Sequence, residues 1–200
     1  ISSRPQLAQI PHLFAQITQP KNLDFILIPA HSSENRKYIP IGFFSKENIA
    51  HNSCLIIPNS NLFHFGVLMS TMHMAWVKTT CGRLESRYRY SKDIVYNNYP
   101  WPENPTEKQV QLIEEKAQNV LDVRASFPNS SLADLYNPLT MPPALVKAHN
   151  ELDKAVDAAY SKQNFSTEAK RMEFLFELYE KYTADLFVKE KPKKIKKTDI

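Results

Sequence analysis

Three prolines in six residues, Pro100, Pro102 and Pro105, divide the chain more sharply than any other sequence feature. Proline fixes φ, lacks a backbone donor and restricts the residue before it, so neither a regular helix nor a strand ladder runs through this segment. Apolar residues form short runs before it and recur at helical spacing after it. The sequence therefore predicts an α+β chain, with a mixed strand and helix domain over residues 1–101 and a small helical bundle over residues 102–188.

Compact apolar runs before the prolines are predicted to form buried strands, at residues 23–29, 38–44 and 54–58. A further apolar stretch at residues 7–17 is interrupted by Pro11 and fits either a strand or a short helix. The chain has only 3 glycines, so the turns between these elements must rely on proline, asparagine, aspartate and serine.

A single helix is predicted over residues 62–78. Polar side chains at residues 59–61 would cap it, and apolar residues follow at steps of three and four, at Leu62, Phe65, Leu68, Met69, Met72 and Trp76. His64 and His73 lie in this helix, and neither has a second histidine at metal-binding spacing. We interpret them as hydrogen-bonded or partly exposed helix residues rather than as metal ligands or bases.

Three amphipathic helices are predicted after the prolines, starting near residues 106–109, 141–143 and 166–168. Their inward residues are predicted to be Val110, Ile113, Ala117, Val120 and Leu121, then Leu145, Ala148, Leu152, Val156 and Ala159, and finally Met172, Leu175, Phe176, Tyr179, Tyr182 and Leu186. The outer faces are acidic, and the basic tail at residues 189–200 is predicted to be disordered.

Charge is split along the chain. Residues 1–101 carry ten Lys and Arg against five Asp and Glu, whereas residues 102–188 carry nine against fourteen. This split indicates that only the first half faces a polyanion, although basic charge alone is weak evidence for nucleic acid.

Cysteine usage and hydropathy give information about the cellular compartment of the protein. Cys54 and Cys81 have no ligand-like spacing and are typical of free thiols in a reducing compartment such as the cytoplasm, with a single disulfide as the alternative. No apolar run approaches the length of about 18 residues that a membrane span requires. The chain starts without methionine, and we expect it to be a piece of a longer protein.

Residues 81–102 interleave four basic residues with four tyrosines. If residues 83–90 are extended, two rows of side chains alternate between two faces, Arg83, Glu85, Arg87 and Arg89 on one and Leu84, Ser86, Tyr88 and Tyr90 on the other. A charged row backed by an anchoring aromatic row suits a segment that enters a nucleic-acid groove. A solvated edge strand with ordinary surface charge explains the same pattern.

Catalytic motifs are missing from the sequence. With glycine only at positions 42, 66 and 82, no dinucleotide fingerprint or phosphate-binding loop is possible. There is no Cys-x-x-Cys pair and no nucleophile elbow, and we interpret residues 114–116, which match a nuclease Glu-x-Lys, as helix surface. The pattern favours a binding module without catalytic or metal-ligating residues over a complete enzyme.

Several longer strings resemble one family: SSENRKYIP at 32–40, HFGVL at 64–68, MHMAW at 72–76, CGRLESRYRYS at 81–91, YNNYPWP at 96–102, LADLYNPLTMPP at 132–143 and DKAVDAAY at 153–160. These strings are similar to the C-terminal third of MmeI-like enzymes, the type IIL fused restriction–modification proteins and related adenine-specific DNA methyltransferases of bacteria. The resemblance covers nearly the whole chain.

The resemblance implies that residues 1–101 are most of a target-recognition domain for double-stranded DNA, followed by a helical C-terminal domain. The S-adenosylmethionine site and catalytic motif would lie upstream, in a methyltransferase domain that is also the partner of this piece. The base-reading pair of the family matches Glu85 and Arg87. Glutamate accepts from cytosine N4 and arginine donates to guanine O6 and N7, so the pair suits a C·G base pair.

The remaining polar residues of this stretch are expected to hold DNA phosphates without reading sequence, namely Arg83, Arg89, Lys92 and Tyr90. An alternative from another functional class is a protein-docking platform in a multisubunit defence or modification complex, with the acidic helices as the partner surface. Salt-dependent DNA affinity distinguishes the two.

Overall fold

The computed structural model describes residues 19, 20 and 22–184. Its elements are β1 (Phe25–Pro29), β2 (His31–Ser32), β3 (Gly42–Phe44), β4 (Cys54–Pro58), α1 (Leu62–Leu68), α2 (Thr71–Thr80), β5 (Gly82–Leu84), β6 (Arg87–Arg89), α3 (Glu107–Ala125), α4 (Leu132–Leu135), α5 (Pro143–Tyr160) and α6 (Glu168–Thr183), with a π-helical turn at Lys92–Tyr96. The α+β class is confirmed. The predictions for residues 7–17, Leu186 and the basic tail lie outside the described residues.

The described strands form two small antiparallel sheets, and a single residue of the chain connects one sheet to the other. Their strand orders are β3-β1-β4 and β2-β6-β5, and the chain passes from the first to the second at Ala30. The Ala30 amide donates to the Ser53 carbonyl at 2.9 Å, and its carbonyl accepts from the Tyr90 amide at 2.8 Å. The sheet that carries β5 and β6 is therefore fixed by main-chain bonds to the sheet beside it.

The strand predictions are partly confirmed. β1 and β4 lie within the predicted apolar runs, but in the predicted strand at residues 38–44 only Gly42–Phe44 joins a ladder. Tyr38, Ile39 and Ile41 are buried outside the sheet because their side chains pack into the core. β2 was not predicted, since two polar residues carry no strand signal and are held by pairing with β6.

The single helix predicted over residues 62–78 is wrong, because the chain forms two helices that meet at Ser70. The Ser70 hydroxyl donates to the Val67 carbonyl at 2.7 Å and accepts from the His73 amide at 3.3 Å, which ends α1 and caps α2. Most of both helices is buried on every side. They are central elements rather than amphipathic surface helices.

Gly66 lets α1 lie against α3 and α5. A Cβ at this position would come within 2.7 Å of Ile113 Cγ2 and within 3.3 Å of Leu152 Cδ1. We expect Gly66→Ala to lower the free energy of unfolding by about 1–3 kcal/mol, because overpacking outweighs the better helix propensity of alanine. Gly82→Ala is the matched control, since the nearest atom to its Cβ is 3.8 Å away. Urea unfolding of both variants checks this, and equal stabilities would contradict it.

The helices after the prolines continue the same core. α3 packs on α1 and α5, and α6 packs on α2, so the helical region encloses the central helices. The predicted starts are confirmed: Thr106 and Gln109 form a capping box, α5 begins at Pro143, and Thr167 caps α6. Apolar residues from before and after the proline segment pack together, so the two halves of the chain share one hydrophobic cluster.

The inward face predicted for α6 is partly wrong. Phe176 and Tyr182 are 41% and 45% exposed, whereas Leu178, which was not predicted, is 8% exposed. α6 lies at the edge of the fold and packs mainly on α2, so its apolar arc is wider than the contact. Phe176 still contacts Trp76, with ring centroids 5.7 Å apart and the two rings tilted by 52°.

Buried polar bonds hold residues 37–41 against the helices. The Tyr38 hydroxyl donates to Asp153 Oδ2 at 2.7 Å, and Asp153 Oδ1 accepts from the Thr71 amide, also at 2.7 Å. Arg124, although buried, donates to the Ile41 carbonyl at 2.7 Å and to the Tyr136 hydroxyl. These bonds position the loop that precedes residue 38.

Candidate nucleic-acid interface

The charged segment predicted as one extended strand is a β-hairpin with a two-residue turn. β5 pairs with β6 so that Arg83 lies opposite Tyr88 and Leu84 opposite Arg87, leaving Glu85 and Ser86 as the turn. The predicted alternation is wrong on the β5 side, because the reversal changes the parity of the side chains. Leu84 shares a face with Arg87 and is 44% exposed, whereas Arg83 lies on the face of Tyr88.

Glu85 has an unusual backbone conformation for its residue type. Its φ is 56°, and the other three non-glycine residues with positive φ in the described part of the chain are asparagines, which tolerate this region better. A positive φ at the first turn residue of a hairpin usually belongs to glycine. A glutamate held there is a strained choice, and such strain concentrates at functional positions.

Glu85 and Arg87 meet at the tip of this hairpin. Arg87 Nη2 donates to Glu85 Oε2 at 2.7 Å, and the two side chains are 50% and 76% exposed. A solvent-exposed ion pair of this kind contributes little to folding stability. The arrangement instead presents an acceptor and a planar donor side by side to solvent.

Arg83 holds the turn from the other face. Its guanidinium stacks on the Tyr88 ring with 4.2 Å to the centroid. Nη1 donates to the Ser86 carbonyl at 3.0 Å and Nη2 to the Lys78 carbonyl at 3.3 Å. Arg83 therefore joins both strands of the hairpin to the end of α2, a role that the sequence pattern did not indicate.

A loop from the first half of the chain supports the hairpin. The Tyr88 hydroxyl donates to the Glu34 carbonyl at 3.4 Å. The pKa of the Glu34 carboxyl lies below its usual value, because its own backbone amide and the Ser86 side chain donate to it and because Arg83 and Arg87 are nearby. A second carboxylate is thus close to the turn, and only the tertiary structure reveals it.

The buried side of the hairpin is anchored through Tyr90. Its ring is 3% exposed, and its hydroxyl lies 2.9 Å from His73 Nε2, while His73 Nδ1 is 2.8 Å from the Leu68 carbonyl. Burial lowers the pKa of His73 to about 4, so the neutral ring donates to Leu68 and accepts from Tyr90. The phosphate contact predicted for Tyr90 does not fit so enclosed a side chain, and Tyr90 is an anchor instead.

Arg89 and Lys92 extend the exposed basic surface. Arg89 lies between Gly82 and His31 in the three-stranded sheet, with its side chain exposed. Lys92 begins the π-helical turn, and its exposed amine is 3.7 Å from Asp93 Oδ1. Arg87 and Arg89 are two residues apart on β6 and share one face of it, and Lys92 follows three residues later in the chain.

Other classes of site have no support in the described part of the chain. Residues 19, 20 and 22–184 hold no group of three His, Cys, Asp or Glu side chains that could bind a metal ion. No helix in these residues has the length and apolar character needed to cross a bilayer. Cys54 and Cys81 are free thiols.

Comparison with known proteins gives matches along almost the entire chain. The family model "MmeI, target recognition domain" matches residues 2–103, and "MmeI, C-terminal domain" matches residues 105–187. DNA methyltransferase A of Bacillus subtilis (strain 168) is 40% identical over 178 residues, which is 89% of this chain and 20% of that protein. The solved structure of the type IIL restriction–modification enzyme MmeI in complex with DNA has a TM-score of 0.84 at 50% identity.

That structural match covers 90% of this chain and 24% of the MmeI chain. The chain therefore spans about a fifth to a quarter of the length of these two relatives.

Proposed function

Because the chain belongs to the MmeI family, we propose that it is the part of a DNA methyltransferase or restriction–modification enzyme that recognises a specific sequence in double-stranded DNA. The observation that carries this proposal is the ion pair of Glu85 and Arg87 at the exposed tip of a strained hairpin. The solved relative with which this chain is 50% identical is a complex with DNA, which supports the same class of ligand.

The proposed reading event places the hairpin tip in the major groove, which admits a two-stranded ribbon. Arg87 would donate to guanine O6 and N7, and Glu85 would accept from cytosine N4 of the same base pair. Their pairing at 2.7 Å in the free chain holds the two groups next to each other before DNA arrives, which lowers the entropic cost of binding.

The phosphate contacts are proposed at Arg89 and Lys92, whose side chains are exposed. Arg83 uses one donor of each terminal nitrogen on the Ser86 and Lys78 carbonyls, and its remaining donors are available to a phosphate. Such contacts set the register of the hairpin on the duplex without reading bases.

Catalysis would belong to the part of the protein outside this chain. S-adenosylmethionine, the methyl donor expected for a DNA methyltransferase, would bind there, and the resemblance to type IIL enzymes suggests an adenine amino group as acceptor. This chain would dock on that methyltransferase domain and direct it to its target in the bacterial cytoplasm.

The proposal predicts DNA binding that weakens steeply with salt. Each phosphate contact contributes about 0.9 to the slope of log K against log salt, so Arg89→Ala and Lys92→Ala should each lower the slope by about 1 without changing sequence preference. Fluorescence anisotropy with duplexes selected from a randomised pool, at several salt concentrations, measures this, and Lys170→Ala on α6 is the matched control. If neither the chain nor the complete protein binds duplex DNA, the docking alternative is favoured.

A further inference from the structure

An exposed basic stripe runs along α5. In the sequence this helix follows the proline segment, whereas the hairpin precedes it. Lys147, Asn150 and Lys154 follow at spacings of three and four, so they share one face of the helix, and all three are exposed. From Lys147 to Lys154 the helix rises about 10 Å. We call these three residues the α5 stripe.

The acidic residues of α5 do not neutralise this stripe. Glu151 lies 3.5 Å from Lys116 of α3, and Asp157 is paired with Arg171 of α6. Asp153 is buried, accepts from Tyr38 and the Thr71 amide, and lies 4.0 Å from the exposed Lys37 amine. Within the described residues, no carboxylate lies within 4.0 Å of the Lys147 or Lys154 amine.

Residues 34–37 connect the hairpin to the α5 stripe. At one end the Glu34 carbonyl accepts from the Tyr88 hydroxyl. At the other end Lys37 Nζ donates to Oδ1 of Asn150, the middle residue of the stripe, at 3.2 Å. A segment of four residues spans at most about 14 Å, so the backbone between the Tyr88 contact and Lys37 covers no more than that, and the Lys37 side chain then reaches the stripe. The buried Tyr38–Asp153 bond fixes this spacing.

We propose that Lys37 and the α5 stripe form a second contact with the same DNA, on the phosphates that flank the groove occupied by the hairpin. This inference rests on the proposed function. The major groove is about 12 Å wide, and a basic surface that a short loop links to a ribbon in the groove can reach the backbone at the edge of that groove. Along one strand the phosphates rise about 3.4 Å each, and the stripe matches two or three of them. The C-terminal region would then bind DNA, although its overall charge is acidic.

The test is a triple variant, Lys37→Gln, Lys147→Gln and Lys154→Gln, in the complete protein that carries this chain. We expect the slope of log K against log salt to fall by about 2–3, and the affinity at moderate salt to drop at least tenfold on every duplex. The preferred target sequence should stay the same, because phosphate contacts carry no sequence information.

The matched control, Lys108→Gln, Lys162→Gln and Lys170→Gln, removes the same charge from other exposed positions. The double variant Lys147→Gln and Lys154→Gln leaves the Lys37 contacts intact and guards against a folding defect. Equal losses for control and stripe variants, or an unchanged slope for the stripe variants, would overturn the inference while Arg89→Ala still reports on the hairpin. No binding by the unmodified protein would overturn the proposed function together with it.

Discussion

A protein that carries Glu85→Lys together with Arg87→Asp is expected to accept a different base pair at one position of its target. The double change exchanges acceptor and donor, so the tip would donate where it accepted and suit the inverted base pair. A good contact to a base edge contributes about 1–3 kcal/mol of discrimination, which is about a 5- to 150-fold change in relative affinity. Selection from randomised duplexes, repeated with methylation of the selected sites, measures the preference position by position.

The fold should survive this exchange. Both side chains are at least half exposed, and the pair keeps opposite charges across the turn. The control exchange, Glu173→Lys with Lys170→Asp, makes the same changes of charge on the exposed face of α6 and should leave the target unaltered. An unchanged target for the hairpin variant would remove Glu85 and Arg87 from the reading role.

Glu85→Gly distinguishes the effect of the backbone strain at this residue from the effect of its carboxylate on DNA recognition. Glycine accepts the φ of 56° that Glu85 adopts, so the hairpin should be at least as stable as before. Loss of the carboxylate should nevertheless relax the preference at the same base pair. A variant that is destabilised and keeps its full specificity would mean that the carboxylate serves the turn and not the DNA.

Trp76→Ala is expected to cause the largest loss of stability, about 3–5 kcal/mol. Trp76 is buried in α2, its indole Nε1 donates to the Val95 carbonyl at 3.0 Å, and its ring contacts Tyr99 and Tyr179. The substitution removes this volume from the contact between α2 and α6 and leaves the Val95 carbonyl without its donor. The midpoint of thermal unfolding should fall by about 2–4 °C for each kcal/mol.

Phe176→Ala provides the comparison for this contact. Phe176 touches the same indole from α6 but is 41% exposed, so its truncation should cost clearly less. Calorimetry of both variants, with urea unfolding as a second measure, ranks them. Equal losses, or a loss below about 1.5 kcal/mol for Trp76→Ala, would contradict the central position assigned to α2.

Elements with local signals were predictable from the sequence. The capping box at Thr106 and Gln109 and the proline at the first position of α5 mark helix starts wherever they occur, because their bonds are made within one turn. β1 and β4 follow from apolar runs that no helix pattern explains. The α+β class and the charged, tyrosine-rich segment were therefore accessible to sequence reasoning.

Breaks inside a favourable pattern were not predictable in the same way. Ser70 interrupts an apolar series that is compatible with one long helix, and the two helices separate there because each packs in its own direction against α3, α5 and α6. Arg124 lies four residues after Val120 on the inward face of α3, where its residue type would not be expected. It is buried because the Ile41 carbonyl and the Tyr136 hydroxyl, both distant in sequence, supply its acceptors.

For the candidate site, the sequence determined that Glu85 and Arg87 lie two residues apart in a basic, tyrosine-rich segment. Only the tertiary structure decided that this segment reverses at Glu85 and Ser86, since no glycine or asparagine marks the turn. The reversal is held by β2, by the Glu34 loop and by Arg83 on Tyr88. Strand pairing and a positive φ at a glutamate depend on such contacts between residues far apart in the chain, and a local pattern does not contain them.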